Sequence, residues 1–107
     1  MLTGKQKRYL RSLAVTQKAI FQIGKDGLNS NLYTSVKDAL KARELVKISV
    51  LKTCEVNFDE VALELSANTG SELVQKIGKT VVLYKRNAKE PKIQLPWLML
   101  LLIIFIV

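Results

Sequence analysis

Gly24-Lys25-Asp26-Gly27 separates a short apolar run, Ala19-Ile20-Phe21-Gln22-Ile23, from a stretch with helical spacing. Glycine at both ends of the loop lets the backbone take positive φ and come close to a ligand. A helix starting just beyond offers N–H groups and the positive end of its dipole. Lys25 adds a cation at the tip. Together these suit a phosphate or a sugar-phosphate backbone. Two glycines also serve many β-to-α turns for geometry alone, so the loop gains weight only from a second feature. That feature is N-terminal. At about 100° per residue, Lys5, Lys7, Arg8 and Arg11 share one helical arc with no acid among them. A solvated helix face usually mixes signs for i,i+4 pairing, and an unmixed one favours phosphate contact.

Other chemistries lack their residues. There is no His, which removes Ser-His-Asp and Cys-His catalysis and His-ligated zinc. The single Cys54 can form neither an internal disulfide nor a thiolate metal cluster. Gly27 is followed by Leu28, so the loop is not a Walker A motif, and G-x-G-x-x-G is absent. Gly78-Lys79-Thr80 has Leu73 where a phosphate loop needs its first glycine. A phosphodiester-cleaving enzyme would have to rest on Lys25 and Asp26 alone. The expectation is therefore no enzyme, no cofactor, no metal and no small-molecule substrate.

The 107 residues carry a net charge of +8 and suggest one domain. The charge is segregated. Residues 1–52 hold eleven basic and three acidic side chains, 53–75 hold five acidic and no basic ones, and 76–92 hold six basic and one acidic. Two basic blocks around an acidic one point to a polyanionic partner: RNA, DNA or an anionic membrane. The opening MLTGKQKRYL has no apolar stretch for a secretory signal, and the cytoplasm is the simplest compartment.

The elements that must position these residues follow from periodicity. Thr3 and Gln6 form a capping box for a first helix, whose apolar arc is Leu2, Tyr9, Leu10, Leu13 and Ala14. The run 19–23 reads as a mostly buried strand. A second helix spans about residues 30–43, with Ser30 as N-cap and Leu32, Val36, Ala39, Leu40 and Arg43 at helical spacing. Leu45 to Val50 alternates as a strand with Val46, Ile48 and Val50 on one face. Strand–helix–strand at this length is a βαβ unit with parallel strands. Asn57 or Asp59 opens a third helix, which Gly70 stops. Glu55, Asp59, Glu60 and Glu64 lie around its first turns, where acids complement the dipole. Two β-prone runs around Gly78-Lys79 form a hairpin. The order αβαβαββ predicts an α/β fold, a compact two-layer sandwich of a four-stranded mixed sheet with helices packed on it.

LTGKQKRYLRSLA, IFQIGKDGLN, ARELVKISVL and TGSELVQKIGKTVVLYKR, in that order, resemble the CRM domain (chloroplast RNA splicing and ribosome maturation). The resemblance covers roughly residues 2–87 and is to the single-domain bacterial branch, the YhbY-like RNA-binding proteins. It implies a fold similar to the C-terminal domain of bacterial translation initiation factor three. It implies a non-catalytic RNA-binding protein acting on ribosomal RNA of a large-subunit precursor in ribosome assembly. Carried onto this chain, the RNA-contacting loop is Gly24, Lys25, Asp26 and Gly27, and the basic helix supplies Lys5, Lys7, Arg8 and Arg11. Lys85 and Arg86 follow the last strand, where family members also tend to be basic. Two positions depart from the family's habit: Val15 follows Ala14 where a His is common, and Ala19 stands where a Pro is common. Tyr9, Tyr33 and Tyr84 are the tyrosines available for base stacking, so backbone and shape recognition is favoured over base reading.

The domain reading is 1–92 for the RNA-binding unit and 93–107 for a C-terminal tail. Residues 97–107 are all apolar. As a helix they would reach ~16 Å against a bilayer core of ~30 Å, too short to span. They could enter a membrane interface or mediate self-association, pack on the domain as an extra strand, or be an extension without a selected role. The alternative function is a membrane-associated basic adaptor that uses this tail.

Overall fold

The computed structural model describes residues 2–87 together with Lys89, Pro91 and Ile93. Seven elements follow in the order α1 (Gly4–Ala14), β1 (Phe21–Ile23), α2 (Ser30–Arg43), β2 (Leu45–Val50), α3 (Phe58–Thr69), β3 (Glu72–Ile77) and β4 (Thr80–Tyr84). The four strands lie in the order β1-β2-β4-β3. β1 pairs parallel with β2, as the βαβ reading requires, and the other neighbours pair antiparallel. The expected α/β fold and element order are therefore those observed.

Helix ends follow local chemistry. The Thr3 hydroxyl accepts from the Gln6 N–H at 3.1 Å while the Gln6 side chain accepts from the Thr3 N–H at 2.9 Å, a complete capping box. Asn57 caps α3 through the Asp59 N–H, and Gly70 ends it in the left-handed region at φ 63°. The cap of α2 is Asn29 and not Ser30: its carboxamide oxygen accepts from the Leu32 N–H at 2.8 Å, which makes Ser30 the first helical residue.

β2 and β4 are central and apolar on both faces. Val46, Ile48, Val50, Val81 and Leu83 join Ile23, Val36, Leu40, Val61, Ala62 and Leu65 in an inner core under α2 and α3. Leu45, Val82 and Tyr84 join Leu10, Ala14 and Val74 in an outer core under α1. Each large aliphatic side chain so buried contributes about 1.5–3 kcal/mol. The sheet with α2 and α3 is the expected sandwich, and α1 adds a further layer on the opposite face. The strand read at 19–23 is shorter and more open than expected. Only Phe21–Ile23 is β, only Ile23 is buried, and Ile20 is exposed, because β1 sits at the sheet edge with one hydrogen-bonding neighbour.

Two charged residues act as internal staples. Lys47 projects onto the outer face, where its Nζ donates to the carbonyls of Ala14 at 3.2 Å and Gln17 at 3.4 Å. This satisfies the C-terminal end of α1 with a cation on the side the dipole favours. Glu44 is fully buried at the α2–β2 junction with φ 63°. Its carboxylate accepts from the backbone N–H of Asn87 at 2.8 Å and of Ile93 at 2.6 Å, and its carbonyl accepts from the Lys85 N–H at 2.9 Å. Ile93, read as the start of the tail, also packs against the outer core. Residues 97–107 lie outside the described residues.

Replacing Glu44 by Ala unmakes two charge-assisted hydrogen bonds and is expected to lower stability by about 2 kcal/mol. A urea titration measures this. Tyr84 supplies a second test. Its ring is buried and its hydroxyl has no hydrogen-bond partner among the described residues. Burial raises its pKa above the ordinary phenol value; the Glu44 charge adds to this and Arg86 opposes it. The folded state thus holds its proton more tightly than the unfolded chain, and that stability is lost as pH rises above about 10. Tyr84→Phe is expected to leave neutral-pH stability unchanged or slightly higher. It should also make the alkaline decline shallower in melts recorded across that range.

Candidate nucleic-acid interface

The GKDG segment turns the chain from the C-terminal end of β1 towards α2. The Gly27 N–H donates to the Gly24 carbonyl at 3.0 Å, which leaves Lys25 and Asp26 exposed at the tip. The two glycines do different work. Gly27 takes φ 62°, as expected for a left-handed turn residue. Gly24 has no positive φ, contrary to the expectation for both. Its role is close approach: a Cβ there would lie 3.2 Å from the Thr53 hydroxyl and 3.5 Å from Leu51 Cδ1. The start of α2 offers fewer open N–H groups than expected, because Asn29 already bonds that of Leu32.

That packing fixes a neighbourhood the residues of the loop do not reveal alone. The Leu51 N–H donates to the Ile23 carbonyl at 2.8 Å and the Val50 N–H to the Lys79 carbonyl at 2.7 Å. The GKDG turn, the turn after β2 and the β3–β4 hairpin thus form one end of the sheet. Exposed Lys25, Lys52 and Lys79 all stand there. Lys79 Nζ also lies 5.5 Å from the centre of the Phe58 ring, a cation–π contact that limits its wandering. Lys52 and Lys79 were not singled out from sequence. Their signal was topological: a turn at the carboxyl end of a parallel strand, and the hairpin that must abut it. Lys76 is different, since its Nζ pairs with Asp59 at 3.0 Å.

α1 lies across the outer face. Lys5, Arg8 and Arg11 are exposed and Lys7 half-buried, and none pairs with an acid among the described residues. Arg11 Nε reaches the Val74 carbonyl at 3.5 Å, where β3 bulges out of register with β4. The C-terminal turn of α1 faces the loop end of the sheet, bordering a groove lined by Arg11, Ser12, Val15, Lys47, Gln75 and Ile77. The structure therefore brings the C-terminal turn of α1, with Arg11, to the loop end of the sheet, while Lys5 and Lys7 lie in the first turn at the other end of the helix. It does not bring Lys85 and Arg86 to the loop end. β4 runs antiparallel to β2, so its C-terminal end is the far end of the sheet. There a Cβ on Gly70 would lie 3.6 Å from Lys85 Nζ, which places that ammonium at the carbonyl end of α3. Tyr9 and Tyr33 pack against the cores and are half-buried, and Tyr84 is buried.

Among the described residues, no group of His, Cys, Asp or Glu could hold a metal ion. No described helix is long and apolar enough to cross a membrane. The membrane-adaptor alternative rests on 97–107, outside the described residues.

Gly27→Ala keeps space for its methyl, since the nearest heavy atom is Val56 Cγ2 at 3.8 Å, but forces a side chain into the left-handed region. The expected loss is about 1 kcal/mol. Gly24→Ala keeps an ordinary φ and is expected to displace the turn at Thr53 instead. Amide exchange at Leu51 and Cys54 distinguishes the two.

Comparison with protein families matches residues 2–85 to the CRS1 / YhbY (CRM) domain. A Bacillus subtilis (strain 168) protein named Probable RNA-binding protein YqeI is 51% identical, across 90% of this chain and all of its own. A Haemophilus influenzae protein named RNA-binding protein is 33% identical, across 89% of this chain and 95% of its own. The solution structure of the hypothetical protein SAV1595 from Staphylococcus aureus is similar with a TM-score of 0.73 and 52% identity. It covers 90% of this chain and all of that one. With a family match over residues 2–85 and relatives matched over nearly all of their own length, the chain belongs to the CRS1/YhbY (CRM) domain family.

Proposed function

We propose that this protein is a non-catalytic RNA-binding protein of the cytoplasm whose ligand is ribosomal RNA of a large-subunit precursor. The observation that carries the RNA reading is the gathering of exposed Lys25, Lys52 and Lys79 on the turns at the GKDG end of the sheet, the end that the C-terminal turn of α1 reaches with Arg11. The loop approaches the sugar-phosphate backbone through its main chain, and α1 neutralises phosphates through Lys5, Lys7, Arg8 and Arg11. Lys85 and Arg86, at the far end, contribute general attraction to the polyanion. Relatives named as RNA-binding proteins support the ligand class. The ribosomal assignment comes from the family resemblance, and no residue in the site carries a catalytic step.

Phosphate contacts release counterions, so log affinity should fall with log salt by about 0.7–0.9 per phosphate neutralised. Arg8→Glu with Arg11→Glu is expected to weaken binding of all RNA sequences alike by about tenfold or more and to flatten that slope. Replacing Lys25 and Asp26 together by Ala should weaken binding without lowering the melting temperature. Fluorescence anisotropy with labelled RNA checks both, and unchanged affinity in the second variant would remove the loop from the site. Gradient sedimentation of an extract tests the ribosomal part: co-migration with large-subunit precursors, reversed by salt, is the expected result.

A further inference from the structure

The outer face of the sheet is divided by polarity. Under the body of α1 lie Leu45, Val74, Val82 and Tyr84, and Lys47 meets the helix end. Beyond the C-terminal turn of α1, one row remains open. Gln22 pairs in register with Ser49, Ser49 with Thr80, and Thr80 with Ile77. Phe21 and Ile23 pack into the inner core, as do Ile48, Val50 and Val81, so alternation points Gln22, Ser49 and Thr80 outward. None of these three is buried, and none makes a side-chain hydrogen bond among the described residues. At about 4.8 Å per strand the row crosses the sheet in about 14 Å. It begins two residues before the GKDG turn and ends at Ile77, beside Val15 in the groove that Arg11 borders.

Resting on the RNA-binding reading, the geometry points to this row as the floor of the site: a single RNA strand crosses it between Arg11 and the GKDG turn, and Gln22, Ser49 and Thr80 hydrogen-bond its sugars. Arg11 at one side and the exposed Lys25 and Lys52 on the turns at this end of the sheet define the occupant as a polyanion. An amide and two hydroxyls, each able to donate and accept, suit the ribose 2′-hydroxyl, which does both. The row has no aromatic residue, so it offers no stacking platform. Exposed Val15 and Ile77 add apolar contact at its β3 end. The row therefore supplies preference for RNA over DNA, while the cations supply affinity.

Salt dependence separates the two roles. Neutral contacts release no counterions, so Gln22→Ala, Ser49→Ala and Thr80→Val combined should weaken binding about tenfold with an unchanged log–log salt slope. The probes are a labelled single-stranded oligouridylate and the matching oligodeoxyuridylate, titrated by anisotropy at several salt concentrations. The ratio of RNA to DNA affinity should fall towards unity in the combined variant. It should survive in the Arg8→Glu, Arg11→Glu protein, whose slope changes instead. Gln22→Glu is nearly isosteric on an exposed edge position and keeps the test usable if the combined variant folds poorly. It should repel the strand, with the deficit shrinking as salt rises. Wild-type affinity or an unchanged RNA-to-DNA ratio in the combined variant overturns the floor alone, as does wild-type affinity in Gln22→Glu if that is the variant tested. Failure of the unmodified protein to bind the oligouridylate overturns the RNA reading beneath it.

Discussion

β2 and β4 bury side chains on both faces of the same two strands, and the remaining architecture answers that constraint. Ile48 and Val81 must be covered from one side, Leu45 and Val82 from the other. Two helices cover the inner face, and α1 covers part of the outer one. An eleven-residue helix extends about 16 Å and covers only part of that face. The leftover area is the row at the loop end, polar at Gln22, Ser49 and Thr80 and apolar at exposed Ile77. On β1, β2 and β4 the apolar pattern of this face therefore ends where the helix ends.

The two ends of the sheet have different duties. At the far end, the buried Glu44 carboxylate binds the backbone of Asn87 and Ile93, and Lys85 stands at the carbonyl end of α3. These charges are engaged within the fold. At the near end, Lys25, Lys52 and Lys79 are exposed on turns. Backbone hydrogen bonds between strands position these turns, so the cations can meet a ligand without the main chain having to reorganise. Lys47 sits between the two regimes: it is a cation on the outer face, yet its donors are held by the end of α1.

The acidic segment has a structural account. Asp59 and Glu60 occupy the first turn of α3, where the dipole favours them, and Asp59 pairs with Lys76. An exposed pair of that kind adds at most about 1 kcal/mol. The acids therefore stabilise α3 locally, and among the described residues none of them pairs with the basic side chains of α1, which preserves the field that a polyanion would meet.

The element order, the parallel β1–β2 pair, the capping box at Thr3 and Gln6, the stop at Gly70 and the unmixed cations of α1 are all legible in the residues alone. Each of these is local: a 3.6- or 2-residue period, a cap within three residues, or a glycine at a turn. The family is legible too, because four sequence blocks in order are more specific than one loop. Contact between residues distant along the chain emerges only in the folded molecule. Gly24 is glycine because Thr53 lies against it, not because of its own φ. Lys52 and Lys79 join the loop end through the bonds of Leu51 to Ile23 and Val50 to Lys79. Lys85 and Arg86 leave it because β4 runs antiparallel. Residue type and spacing encode which face of an element is apolar. The ends that meet in space depend on strand order and direction, which a one-dimensional pattern does not carry.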